Sequence, residues 1–275
     1  MRTALSTSMS SAETLARVSA TGRWNGRVTR RVLPAIEVDL DPTQRAEVAR
    51  IWLTQAATEF RVAGSFACVE TSLRTLNADA GLIALAARAV DDEHRHAALC
   101  EDVAGRLMGR VVGPHARLPR QRPEHAGAPD GLRRVLWVVG QCCFNETFAS
   151  AYLSVASEGA ETPLIARAVR ELLSDEVDHA RLGWAFMQTL SAELRRGLEE
   201  WLVPLAIQNL REWRHIELPH DERLAAHGIP PMDAAQHALT DALVGVIIPG
   251  FRHIGLDTRA LERWAAGGAP VGSLP

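Results

Sequence analysis

Two short stretches hold the residues best suited to chemistry. One is Asp92-Glu93-His94-Arg95-His96 and the other is Asp175-Glu176-Val177-Asp178-His179, so Asp-Glu-x-x-His occurs twice. On an α-helix, residues i and i+3 share a face, with Cβ atoms about 5–6 Å apart. Each stretch can therefore offer one carboxylate and one imidazole to the same metal ion. A single copy usually lies on a solvated helix face. A two-metal carboxylate site needs both copies, plus an inward Glu from each of two other helices.

The elements that must position these groups read as helices. Asp41-Pro42 is a cap followed by Pro at the first helical position. From about Thr43 to Leu76 the chain has no Pro and only Gly64. After Asn77-Ala78-Asp79, a second helix is predicted over about Ala80–Leu107. Residues 109–131 are rich in Pro and Gly and make a long connection. A third helix is predicted over about Leu132–Ser157, and a fourth from Pro163, capped by Thr162, to about Leu190. Helix pair, long crossover, helix pair is the order of a four-helix bundle with one crossover. Further helices are predicted over about Ala192–His215 and Met232–Ile248, with a short one near the end. This gives an all-α fold in three parts: a flexible leader over 1–40, a bundle over 41–190, and a C-terminal helical extension over 191–275 packed on it. A transit-peptide reading of the leader is the alternative.

Height along the helices selects the remaining carboxylates. Glu93 and His96 lie 15 and 18 residues past the turn at Ala78, and Glu59 lies 19 before it. At about 1.5 Å per residue these levels agree within roughly 2–6 Å. Glu70 falls about 10–15 Å too near the turn and Glu47 about 20 Å too far from it. In the second pair, Glu146 lies 14 residues before Ala160, and Glu176 and His179 lie 16 and 19 after it. The helical neighbours of all four Glu residues are largely apolar, among them Ala56, Ala63, Phe66, Ala89, Val139 and Leu172. Burying one ionised carboxylate costs several kcal/mol unless it is paired. Four of them with two His need a compensating charge, which two divalent ions supply.

Composition sets limits on function. All 30 basic residues are Arg, so lysine-amine chemistry and lysine-dependent phosphate loops are excluded. The net charge of −3 leaves no footprint for nucleic acid. None of the four Cys forms CxxC. No apolar run is expected to reach the ~18 residues of a membrane span, and the expectation is a cytoplasmic protein with reduced thiols.

Over about residues 41–190 the chain resembles the ferritin-like di-iron carboxylate superfamily. Asp92-Glu93-His94-Arg95-His96 is similar to a motif of bacterial multicomponent monooxygenase hydroxylases, and Asp-Glu-x-x-His occurs also in the ribonucleotide reductase small subunit. The second motif departs from the hydroxylases in having Asp178 where they have Arg. The resemblance implies two Fe ions, or a Mn/Fe pair, with O₂ as co-substrate. Glu59, Glu93, His96, Glu146, Glu176 and His179 would be the ligands. Asp92 and Asp175 would accept hydrogen bonds from the ligand imidazoles, each across the bundle, with Arg95 beside them. Ser150, four residues after Glu146, is comparable to a Thr hydroxyl near bound O₂ in the hydroxylases and is the candidate catalytic side chain. The single tyrosine, Tyr152, is off the Glu146 face, against a radical role.

The expected function is an O₂-activating oxidase or monooxygenase acting on a small, partly apolar organic substrate. Electrons would come from a separate ferredoxin or flavin reductase, because no nucleotide-binding Gly motif is present. The alternatives are an iron-binding, ferroxidase or peroxidase-type protein without organic turnover, and a helical interaction protein with a vestigial motif. The C-terminal helices could cap the bundle, line a substrate entrance or form a homodimer.

Overall fold

The computed structural model describes residues 36–112, 123–214 and 221–269. These belong to one compact unit spanning Val32–Pro275. Most of the expected leader, and part of the long connection, lie outside the described residues. All the described elements are helices, and no strand occurs among the described residues.

Helix α1 (Pro42–Thr75) starts with the capping box that the sequence encodes. Asp41 accepts from the Thr43 and Gln44 amides, and Gln44 returns a bond to the Asp41 amide. That pairing satisfies donors a helix start otherwise leaves unmet. Helix α2 (Ala80–Leu107) runs back along α1 after a turn in which Asn77 takes φ 53°. Past the crossover come α3 (Asp130–Val138), a π-helical segment (Val139–Asn145) and α4 (Glu146–Gly159), which continue one another as a single column. Helix α5 (Pro163–Thr189) returns along α4 and packs on both α2 and the π segment. Because α3 and the π segment also touch α1, the four columns close a ring.

Two departures from the expected helices have local causes. The predicted single helix over about Leu132–Ser157 contains the π segment, all seven residues of which are buried. The predicted helix over Ala192–His215 is split into α6 (Ala192–Glu199) and α7 (Leu202–Arg214). Pro204 explains the split, since its ring conflicts with the carbonyl of residue 200 and it offers no N–H. Beyond a 3₁₀ turn at Glu222–His227, α8 (Met232–Ala242), a second π segment (Leu243–Ile247) and α9 (Ile248–His253) follow, then α10 (Arg259–Ala266).

Met232–His253 is, by length and composition, apolar enough to cross a membrane, with a mean hydropathy of 1.2. This departs from the expectation that no apolar run is long enough, because Asp233, His237 and Asp241 interrupt the stretch without lowering its mean hydropathy below that of a span. Here Leu239, Leu243, Ile247 and Phe251 form a buried stripe at helical spacing, and α8 packs on α4.

The core is divided by height. One apolar cluster holds Val62 to Leu73 of α1, Leu82 to Ala89 of α2, Leu132 to Phe148 of the third column and Leu182 to Leu190 around the end of α5. The other holds Val48 to Ala56, Cys100 to Leu107, Tyr152 to Ala156 and Ile165 to Leu172. On each column the carboxylates lie at or near the boundary between them. The apolar layers thus fix the height of a buried polar layer.

Gly183 sets how closely α5 approaches the π segment. A Cβ there would lie 2.6 Å from Cys142 Cβ and 3.0 Å from the Cys142 backbone carbon. Gly64, in the middle of α1, has nothing within 4 Å of such a position. We expect Gly183→Ala to destabilise the protein by about 1–3 kcal/mol through overpacking. Gly64→Ala should instead stabilise it by about 0.5–1 kcal/mol. Urea denaturation of both variants checks this, and equal effects would show that the contact at Gly183 is unimportant.

Candidate metal centre

The six residues selected by height and face meet in the buried layer. Glu59 comes from α1, Glu93 and His96 from α2, Glu146 from the start of α4, and Glu176 and His179 from α5. None is more than 5% exposed. Their ligand atoms fall into two sets: Glu59, Glu93, His96 and Glu176 in one, and Glu93, Glu146, Glu176 and His179 in the other. Within each set the atoms lie within 4.8 Å of one another. Glu93 and Glu176 belong to both. Each set has three carboxylates and one imidazole, so the arrangement could hold two neighbouring cations that share two carboxylates.

The imidazoles are aimed by a crossed pattern. His96 Nδ1 lies 3.5 Å from Glu93 and 3.4 Å from Glu176. His179 Nδ1 lies 3.2 Å from Glu93 and 3.1 Å from Glu176. The opposite nitrogens face aspartates on the other helix. His96 Nε2 of α2 is 3.1 Å from Asp175 Oδ2 of α5, and His179 Nε2 of α5 is 3.6 Å from Asp92 Oδ2 of α2. Arg95 joins the two aspartates. Its Nη2 donates to Asp92 at 3.0 Å and to Asp175 at 2.6 Å, and its Nη1 to Glu171 at 2.5 Å. A metal-bound His usually donates its second N–H to such a carboxylate, which fixes the ring.

Unmet polar atoms test whether a cation fits. Glu93 Oε1 and Oε2 and His96 Nδ1 are buried without a hydrogen-bond partner, and His179 Nε2 is left unbonded by its long approach to Asp92. A buried acceptor lacking a donor costs about 1–3 kcal/mol, more when charged. The first three atoms belong to the ligand sets, and a cation there would satisfy them. Carboxylate and imidazole donors together suit divalent first-row ions.

Protonation shows how the layer holds together without one. Burial acts to lower the His96 and His179 pKa values, but Glu176 and Glu93 beside both rings outweigh it and push them up to about 12 and about 11. Burial, then repulsion from the shared carboxylates, raises Glu59 and Glu146 well above the usual range. Burial opposes ionisation of Glu176 too, yet the two imidazoles hold it below its ordinary value. Asp175, partly buried, is likewise held down by Arg95 and His96.

Residues outside the expected set complete the site. Gln55 donates to Glu59 Oε1 and Gln141 to Glu146 Oε1. Gln55 is four residues before its Glu and Gln141 five before. The difference is the π turn, which spans one residue more than an α turn. In a regular α-helix Cys142 and Cys143, four and three residues before Glu146, would occupy that position instead. Asn145 also approaches Glu146 Oε1, at 3.4 Å, and is held by Trp213 Nε1 at 3.1 Å.

The other expected residues divide. The candidate pocket walls Ala56, Ala63, Phe66, Ala89, Val139 and Leu172 are all buried, and Phe66 packs on His179 with ring centroids 4.8 Å apart. Ser150 donates its hydroxyl to the Glu146 carbonyl at 2.8 Å, the usual bond of a helical Ser. Tyr152 is buried against Trp213, ring centroids 5.5 Å apart. His94 is exposed and lies against Phe60. No known protein family matches the chain, and no curated protein does.

Two outcomes follow. Metal must displace a proton from each ligand His, so loading with divalent ion should release about one proton or more per ion. Affinity should therefore fall as pH is lowered. Titration in weak buffer with a pH indicator reads this directly, and uptake without acidification would contradict the protonation described. Separately, Asp175→Asn should weaken metal binding by about 10–100-fold, with the helical circular dichroism unchanged. Unaltered affinity in a chelator competition would remove Asp175 from any role in aiming His96.

Proposed function

We propose that this chain is an O₂-activating di-iron oxidoreductase of ferritin-like architecture, an oxidase or monooxygenase for a small, partly apolar organic substrate. One observation carries the reading: two overlapping ligand sets share Glu93 and Glu176, and each adds its own Glu and His. A site for a single structural ion would need one set. Two iron ions held there would supply the reduction of O₂.

The chain's own residues have separable parts in this reading. Glu93 and Glu176 keep two cations close together. Asp175, gripped by Arg95, would fix the His96 imidazole, and Asp92 stands 3.6 Å behind His179, so that both Nδ1 atoms stay aimed inward. Gln55 and Gln141 hold the outer carboxylates Glu59 and Glu146. The apolar clusters above and below keep bulk water from the layer, which strengthens every interaction inside it. Electrons would be delivered by a separate ferredoxin or flavin reductase. Ser150 would donate a proton or hydrogen bond to a reactant only by breaking its bond to the Glu146 carbonyl.

The test is metal analysis of protein loaded anaerobically with ferrous iron, followed by O₂ uptake with a chemical reductant. We expect two irons per chain, loss of both in Glu93→Ala, and O₂ consumption that continues while reductant lasts. One iron or none per chain would sink the two-metal reading. Uptake that stops once the bound iron is oxidised, with no response to any organic compound, would favour an iron-oxidising protein instead.

A further inference from the structure

The two outer carboxylates are not held alike. Among the described residues, Glu59 takes one amide, from Gln55. Glu146 takes two, from Gln141 and Asn145, and both reach the same oxygen, Oε1. The second of these is unusual, because residues i and i+1 of a helix do not face one another. Asn145 closes the π segment and Glu146 opens α4, yet Asn145 Nδ2 lies 3.4 Å from its neighbour's carboxylate. The Asn145 side chain must therefore be turned back toward Glu146 by a third group.

Trp213 is that group. It lies in the last turn of α7, and its Nε1 donates to Asn145 Oδ1 at 3.1 Å. An indole N–H can only donate. The Asn145 atom that meets it must be the oxygen, which leaves the amide nitrogen facing Glu146. The flipped amide would set donor against donor at Trp213. With Glu146 ionised, as a metal ligand must be, it would also set acceptor against acceptor at Oε1. Asn145 is buried, so either mismatch would leave polar groups unpaired, which is costly.

The indole is itself fixed. Its ring packs on Tyr152, with centroids 5.5 Å apart. Among the described residues, Trp213 is the one partly buried side chain packed on both apolar clusters. It therefore stands at the height of the polar layer between them.

A carboxylate oxygen has two lone pairs. With Gln141 and Asn145 both on Oε1, those positions are taken and Oε2 is left for a cation. We propose that Trp213 is a positioning residue for the metal centre: acting through Asn145, it confines Glu146 to one metal-facing oxygen and so makes the two cation positions unequal. The inequality rests on the two-ion reading above. The ion of Glu146 and His179 would have the fixed set of ligands. The ion of Glu59 and His96 would have the outer carboxylate that yields. Through α7, the C-terminal extension is then part of the site rather than a cover for it.

Cobalt(II) loading of the full-length protein tests this, read by visible absorption and by chelator competition. We expect two cobalt ions per chain. Trp213→Phe keeps an aromatic ring beside Tyr152 and removes the N–H. It should weaken one of the two ions by about tenfold and alter its absorption. The other ion and the helical circular dichroism should not change. Gln55→Met should perturb that other ion instead. Asn145→Leu should reproduce the Trp213→Phe effect, and the double variant should lose no more than either alone, because the two residues act in series.

A Trp213 that served packing alone would weaken both ions together, or add to Asn145→Leu. Either result overturns the relay, and so does unchanged binding in Trp213→Phe. Should Trp213→Phe not fold, Asn145→Leu decides: loss at one ion supports the relay, and no loss overturns it. One cobalt per chain that still responds to both substitutions would sink the two-ion reading and leave Trp213 as a positioning residue. Two ions that respond to neither would do the reverse. No cobalt uptake at all would overturn both.

Discussion

Everything in this fold is arranged around the cost of burying Glu59, Glu93, His96, Glu146, Glu176 and His179 in one layer. Ionised carboxylates in such a place are unfavourable by several kcal/mol each unless opposite charge is close. Without metal, the layer is balanced by proton distribution. The shared carboxylates push both imidazoles toward the cation, the imidazoles favour ionised Glu176 between them, and burial pushes the outer Glu59 and Glu146 toward the neutral form. That balance is imperfect, because both Nδ1 atoms stand 3.2–3.5 Å from Glu93 yet neither closes a well-aligned hydrogen bond on it. A pair of divalent ions would replace the protons and satisfy Glu93 together. Apolar clusters on both sides hold the layer at one height, so the helices cannot slide to relieve it without exposing core.

The site has an approximate two-fold pattern that follows from the helix pairing. Each helix with an Asp-Glu-x-x-His motif lends its Asp to the imidazole of the other, and Arg95 ties the two together. Each of the remaining columns lends one Glu, held by a Gln one turn earlier. The pattern is broken where the π segment enters. There the Gln is five residues away instead of four, and Asn145, held in turn by Trp213, adds a second contact to the carboxylate.

Much of this was legible in the sequence because α-helical geometry is so regular. Counting residues from the turns singled out Glu59 over Glu47 and Glu70, and Glu146 opposite Glu176. The crossing of Asp92 and Asp175 came from the family resemblance and agrees with where those side chains lie. What was hidden has one main cause. A π turn leaves no mark in hydrophobic periodicity, so the Leu132–Ser157 stretch read as continuous helix and Gln141 fell out of phase. Pro204 was visible, but its consequence, two helices in place of one, depends on whether neighbours re-satisfy the freed backbone groups. Gln55 was legible, since it lies one α turn before Glu59 on the same helix face.

The two sides of the layer differ in rigidity, and the difference has a chemical meaning. On the α2–α5 side, charged hydrogen bonds from Arg95 lock the aspartates behind both imidazoles, and such bonds are about twice as strong as neutral ones. On the α1–α4 side the outer carboxylates are held by amides. A neutral amide exchanges partners at little cost, since water or a ligand hydroxyl replaces it well. The imidazoles are therefore the fixed members of the site and the outer carboxylates the adjustable ones. A centre that must both hold its ions and open a position for a reactant needs that division.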